Sequence, residues 1–140
     1  MARFERYGIR SLVFSGWHRT LNDHTTMIDI DDLEYCRRCR EPIVLIENAR
    51  DIGQDFKPTI VLAKLARRAG VLAFLIYYRL STDEQSIVSF RVRQVEPPDD
   101  VERILTPDEM AVIFDRWHTD HRCADGFIFL PGGHQSRLGL

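Results

Sequence analysis

Two short apolar runs separated by a polar segment predict a β-hairpin near the start of this chain. Residues 25–35 and 43–50 are short, largely apolar runs with acidic side chains at intervals, which predicts two strands. The segment between them, Cys36-Arg37-Arg38-Cys39-Arg40-Glu41, is short and polar enough to be the loop. Folding the runs back about Cys39 pairs them as antiparallel strands.

A helix and a buried strand follow the hairpin. Leu62, Leu65, Ala66 and Ala69 repeat at helical spacing, which predicts a helix over 58–69, and Gly70 suits its end. Residues 71–78 are almost wholly apolar, as in a strand that is covered on both faces. A strand–helix–strand order with a short exit loop favours a right-handed crossover and parallel pairing.

The second half of the chain predicts one more strand and one more helix. Residues 87–95 alternate cleanly, with Val88, Phe90 and Val92 on one side and a basic face on the other. Thr106 with Glu109 forms a capping-box pattern, which predicts a helix to about residue 117. Residues 3–21 fit either an irregular helix or a strand around 12–14, and both alternatives stay open.

These elements predict a single domain over residues 1–140, of class α/β. We expect a core over about 25–96 with a small mixed sheet, a C-terminal helical appendage over about 104–123, and a weakly patterned tail over 124–140. Hydrophobic residues make up 44% and charged residues 29% of the chain, which is typical of a globular protein. With no membrane-spanning run and no signal-peptide core, we expect a cytoplasmic protein with reduced cysteines and no membrane partner.

Acidic side chains on the two hairpin strands are the first candidate site. Asp31 falls opposite or nearly opposite Glu47 when the hairpin folds, and two neighbouring carboxylates repel each other unless a cation lies between them. The prediction is a Mg²⁺ or Mn²⁺ site at Asp31 and Glu47, with Asp29 as an alternative ligand. The competing interpretation is a solvated acidic face of the strand.

Cysteines and histidines form a second candidate site. Cys36 and Cys39 lie in the hairpin loop, and His118, His121 and Cys123 lie at the end of the last predicted helix. If the two segments converge, thiolates and imidazoles complete a tetrahedral structural Zn²⁺ site. The alternative is a pair of reduced turn cysteines and a half-exposed histidine pair.

Arginines are the third candidate site, because the formal net charge of −2 leaves any nucleic-acid surface to local clustering. Arg37, Arg38 and Arg40 at the hairpin, with Arg91 and Arg93 on the later strand, are the predicted phosphate contacts. The competing interpretation is a charged hairpin tip and an exposed edge strand protected by its charge.

Residues 27–78 place an Asp-bearing strand, a hairpin, a strand ending in Ile-Glu, a helix and a buried strand in that order. This order resembles the core of the PD-(D/E)XK nuclease superfamily. The resemblance implies Asp31 and Glu47 as the catalytic metal-binding acids. It also implies a lysine two residues after the second acid, where this chain has Ala49. A basic stripe on the following helix, Lys57, Lys64 and Arg68, offers Lys64 as the substitute.

Two functions follow as expectations. The first is a nuclease-like protein that binds DNA or cleaves it with a divalent metal. The second is a catalytically inactive protein that binds and modulates a host protein, with a homodimer left open. The chain also resembles small proteins of actinobacterial phages in three segments: Gly-Trp-His-Arg-Thr-Leu, Ile-Asp-Ile-Asp and Ile-Glu-Asn-Ala-Arg-Asp. This resemblance implies that the protein acts in the cytoplasm of a bacterial host.

Overall fold

Five strands form one mixed sheet in the order β1-β2-β3-β4-β5. In this computed structural model, residues 12–123 and the backbone of two short strands in the tail are described; residues 1–11, 124–126, 131–133 and 138–140 are not, nor are the tail's side chains. The elements in chain order are α1 Val13–His18, β1 Asp32–Tyr35, β2 Pro42–Arg50, α2 Ile60–Ala69, β3 Leu72–Leu80, β4 Ile87–Glu96, β5 Glu102–Leu105, α3 Pro107–Asp120, β6 Phe127–Leu130 and β7 His134–Arg137.

The hairpin and the crossover are confirmed. Strand β1 pairs antiparallel with β2, β2 pairs parallel with β3 through α2, and β3 pairs antiparallel with β4. Helix α2 ends at Gly70, whose φ of 70° is a left-handed conformation that costs glycine little. Parallel pairing brings the carboxyl ends of β2 and β3 to the same edge of the sheet.

Helices cover both faces of the central strands. Val44, Ile46 and Phe74 point to the side that α3 covers, in one core cluster with Trp117. The alternate residues, among them Leu45 and Leu75, pack with Leu62 and Ala66 of α2. Because both faces are covered, the stretch from 73 to 77 in β3 is buried without a break, as its apolar run predicts.

Helix α3 is a layer of the core and not an appendage. Thr106 and Glu109 form the predicted capping box, and the helix runs to Asp120. Trp117 packs on Phe74 with ring centroids 4.8 Å apart, and on Phe114 at 4.9 Å. The helix therefore closes the face opposite α2. The strand that precedes it, β5, was not predicted, since its four residues are too short to show a period.

The first predicted strand is shorter than its pattern indicates. Residues 25–31 are not in a strand, and Ile28 and Ile30 are exposed. The side chain of Asp31 ends the ladder: its Oδ2 accepts from the backbone N–H of Asn48 at 2.9 Å, where a continuing strand would present a carbonyl. Near the N-terminus, of the two open alternatives for residues 3–21, the helix is found, as α1, and it buries none of its side chains.

Candidate metal centre and the adjoining acidic site

Four ligand atoms converge where the β1–β2 turn meets the end of α3. They belong to Cys36, Cys39, His121 and Cys123, and all lie within 4.8 Å of one another. The Sγ atoms of Cys36 and Cys123 are 3.8 Å apart, and Cys39 Sγ is 3.3 Å from Nε2 of His121. Sulfurs about 2.3 Å from a tetrahedral metal stand about 3.8 Å from each other. The cluster could therefore hold a metal ion.

The turn that carries Cys36 and Cys39 is held by its own backbone. The N–H of Cys36 donates to the carbonyl of Glu41 at 2.8 Å, and the N–H of Arg40 donates to the carbonyl of Cys36 at 2.8 Å. Arg40 adopts a φ of 67°, a left-handed conformation that is uncommon for a side chain of this size. This bend turns the chain back into β2, and both cysteines are buried as a result.

The thiols of the cluster influence one another's ionisation. Burial disfavours the Cys36 thiolate, but the backbone N–H groups of Cys39 and Arg38 and the neighbouring thiols outweigh it and lower the pKa of Cys36 to about 7. Burial and the adjacent sulfurs of Cys36 and Cys39 raise the pKa of Cys123. Three thiolates side by side repel, and a bound cation compensates their charge.

His118 does not join this cluster, so its prediction as a ligand is wrong. Its Nε2 lies 2.7 Å from the carboxylate of Glu34 on β1. His118 and His121 are three residues apart, but His121 is the C-cap of α3 and has left the helical conformation, so the two rings separate. The spacing of cysteines and histidines predicted which segments meet but could not distinguish the two histidine rings.

The second site lies at the carboxyl end of β2. Glu47 is only 6% exposed, and its carboxylate is paired with the ammonium group of Lys57. The hydroxyl of Tyr77 on β3 accepts from the backbone N–H of Lys57 at 3.1 Å, which fixes the loop that carries the lysine. The last paired residues of the hairpin are Asp32 and Ile46. Asp31, the residue before Asp32, therefore lies opposite Glu47, the residue after Ile46.

Electrostatics link these three side chains. The hydrogen bond that the Lys57 ammonium group donates to the Glu47 carboxylate is the main cause that raises the pKa of Lys57, and the charge of Asp31 adds to it. A buried carboxylate therefore lies next to a second acid, and the ammonium group of Lys57 compensates its charge.

Lys57 therefore takes the position predicted for Lys64. Lys64 is exposed on α2, and the ammonium group in contact with Glu47 comes from the loop before that helix. The sequence placed Lys57 in the same basic stripe as Lys64, but nothing in that stripe identified which lysine turns toward β2. Asp29, the alternative metal ligand, lies beside α1, in a small cavity that it lines together with His18 and Arg19.

The five predicted phosphate-contacting arginines do not form one surface. Arg37, Arg38 and Arg40 are exposed in the turn next to the cysteines, before β2 begins. Arg91 and Arg93 lie two strands away, on β4. Tyr77 of β3 is the register partner of both Arg91 and Ala49, so Arg91 lies level with Ala49, near the other end of β2. At about 3.3 Å per residue, the length of β2 keeps the two groups roughly 20 Å apart.

Arg91 is part of the interior. Its Nε and Nη2 donate to the two carboxylate oxygens of Asp51 at 3.2 and 2.9 Å, and its Nη2 also donates to the carbonyl of Gln54 at 2.6 Å. This charge-assisted pairing holds the pKa of Asp51 below its usual range, together with the backbone N–H of Gly53. Arg91 thus fastens the 51–57 loop to the sheet and is not available as a phosphate contact.

No protein-family model, curated protein or solved structure matches this chain. Within the described ranges, no helix combines the length and the apolar character that crossing a membrane requires. The functional interpretation therefore depends on the geometry of the Cys–His cluster and of the acidic site.

Proposed function

We propose that this protein binds Zn²⁺ through Cys36, Cys39, His121 and Cys123. The observation that supports it is the convergence of four ligand atoms within 4.8 Å, from segments more than 80 residues apart in sequence. Three thiolates and an imidazole are the donor set that Zn²⁺ prefers, and four protein ligands leave no open coordination position. The role is structural: the ion joins the β1–β2 turn to the end of α3.

Metal analysis with a matched pair of histidine variants tests this proposal. We expect about one zinc per chain in the wild-type protein. Cobalt substitution should give the visible absorption bands of a tetrahedral site with thiolate ligands. His121→Asn should lose most of the bound metal, and His118→Asn, which alters the ring that pairs with Glu34, should keep it. Wild-type protein without zinc, or equal loss in both variants, contradicts the proposal.

We propose, as a second function, that the protein is nuclease-like and binds or cleaves DNA at the acidic site. Its support is the group formed by Glu47, Asp31 and Lys57 at the carboxyl end of β2. The carboxylates of Asp31 and Glu47 would hold Mg²⁺ or Mn²⁺, which supplies a polarised water and neutralises charge on the phosphodiester. Lys57 provides the amine that Ala49 cannot.

Cleavage assays with single variants test the second proposal. In the presence of Mn²⁺ or Mg²⁺ we expect slow hydrolysis of DNA by the wild-type protein and none by Glu47→Gln. Glu84→Gln is the matched control, because Glu84 is an exposed acid that pairs with Arg50 and not with any of the three side chains of the site. If neither metal binding nor DNA binding depends on Asp31, the account to prefer is the inactive protein that binds a host protein.

A further inference from the structure

Arg93 is a half-buried cation whose anion is missing from the described part of the chain. It lies on the α2 side of β4, because its neighbour Val92 points into the core on the α3 side. Its guanidinium carbon sits 5.0 Å from the ring centre of Phe56. Its Nε is buried and makes no hydrogen bond to any residue that the structure describes. A buried donor without an acceptor costs about 1–3 kcal/mol, so the site favours an oxyanion.

Arg91 lies on the same face of β4 as Arg93 but, unlike Arg93, is paired with acidic side chains. Its carboxylate partner is Asp51, and Glu102 lies 3.6 Å from its Nε. Phe56 lies against both guanidinium groups, 4.8 Å from that of Arg91. The ring and the neighbouring strand therefore hold Arg93 in place even without an anion of its own. Glu102 is the register partner of Arg93, but its described ion pair is with Arg91.

The position of Arg93 relative to the acidic site indicates which kind of ligand could contact both. Glu47, Leu75 and Arg93 share one row across β2, β3 and β4 on the α2 side. Two strand spacings of about 4.8 Å each separate the backbone of Glu47 from that of Arg93. This distance is roughly the length of a phosphodiester with its flanking sugar. Lys57 belongs to the same loop as Phe56 and is 46% exposed while paired with Glu47.

We propose that Arg93 and Lys57 together form a subsite for a phosphate group of a nucleic-acid strand, beside the acids that hold the metal. The inference rests on the second proposed function and names its substrate contact. A divalent cation on Glu47 replaces Lys57 as the counter-ion of that carboxylate. The released ammonium group then turns to the phosphate that Arg93 binds, so metal and strand strengthen each other's binding.

Fluorescence anisotropy with a short labelled deoxythymidine oligomer tests the subsite. We expect Arg93→Gln to weaken binding about tenfold in EDTA, since a charge-assisted hydrogen bond contributes about 1.5–3 kcal/mol. The salt dependence of the binding constant should also fall by roughly one phosphate contact. Arg93→Lys keeps the charge and should keep the salt dependence of binding, although it loses the guanidinium contacts, which separates a lost contact from a lost fold.

The matched control is Arg103→Gln. Arg103 lies on the neighbouring strand β5, pairs with Val92 in register and binds Asp99, so it belongs to the other face. Binding by Arg93→Gln that equals wild type, equal losses in Arg93→Gln and Arg103→Gln, or no binding of the oligomer at low salt overturns the proposal. Release of the oligomer by inorganic phosphate at constant ionic strength also overturns it, because the site is then one for free phosphate.

Adding Ca²⁺ separates this inference from the nuclease proposal on which it rests. A rise in oligomer affinity that is lost in Asp31→Asn supports both. If the affinity for the oligomer depends on Arg93 but does not change with Ca²⁺, the phosphate subsite is supported and the metal site is not. A response to the cation without dependence on Arg93 keeps the metal site and overturns the subsite.

Discussion

Trp117 attaches α3 to the sheet. It is 9% exposed and lies between Phe74 of β3 and Phe114 of its own helix. A buried tryptophan removes about 150–250 Å² from water, worth about 4–6 kcal/mol at roughly 25 cal/mol per Å². Because the unfolded chain already hides part of that area, we expect Trp117→Ala to lower the free energy of unfolding by about 3–5 kcal/mol.

Equilibrium unfolding in guanidinium chloride measures this loss. Trp17→Ala is the matched control, because Trp17 is 56% exposed on a helix that buries none of its residues; its free energy of unfolding should change by no more than about 0.5 kcal/mol. His121 and Cys123 follow α3 directly, so Trp117→Ala should also weaken metal binding. A loss below about 1 kcal/mol, or equal losses for the two tryptophans, would refute the reasoning.

Three further predictions concern the helix cap and the two ion pairs that tie the 51–57 loop to the sheet. Thr106→Ala removes the capping box of α3 and should cost about 1 kcal/mol of unfolding free energy, measured in guanidinium chloride. The pKa of Asp51 is held below its ordinary 3.8 by Arg91, so its stabilisation is complete above that pH and is lost below it; Asp51→Asn should flatten the acid limb of stability against pH. Lys57→Met leaves the Glu47 carboxylate buried and unpaired and should cost about 1–3 kcal/mol, part of which the double variant with Glu47→Gln should restore.

Periodicity predicted most of the α/β fold, because strands and helices with one or two covered faces carry a strong pattern. The unbroken apolar run of β3 and the spacing of α2 gave both elements and their parallel crossover. The pattern failed at residues 25–31, where a side chain and not the backbone of Asp31 takes the N–H of Asn48. Alternation of apolar residues does not distinguish a paired strand from an extended segment.

The sequence predicted which segments form the candidate sites but not which histidine and which lysine take part. Cys36 and Cys39 met the end of α3 as expected, but the choice of His121 over His118 depends on where the helix ends. Lys57 replaced Lys64 because a loop anchored by Tyr77, whose contact is distant in sequence, directs it toward Glu47. Such choices depend on tertiary contacts that no local pattern records.

A metal ion bound at the Cys–His cluster would also change how the chain is connected. Its two halves are 82 to 87 residues apart, so an ion held there would close a single covalent–coordinate loop that contains strands β2 to β5 and helices α2 and α3. In the chain-entropy treatment of cross-links, a loop of this length restricts the unfolded chain by about 4–5 kcal/mol. With the ion bound, unfolding would leave a closed ring that contains four of the five strands of the sheet, and refolding would start with the contact between the β1–β2 turn and the end of α3 already made.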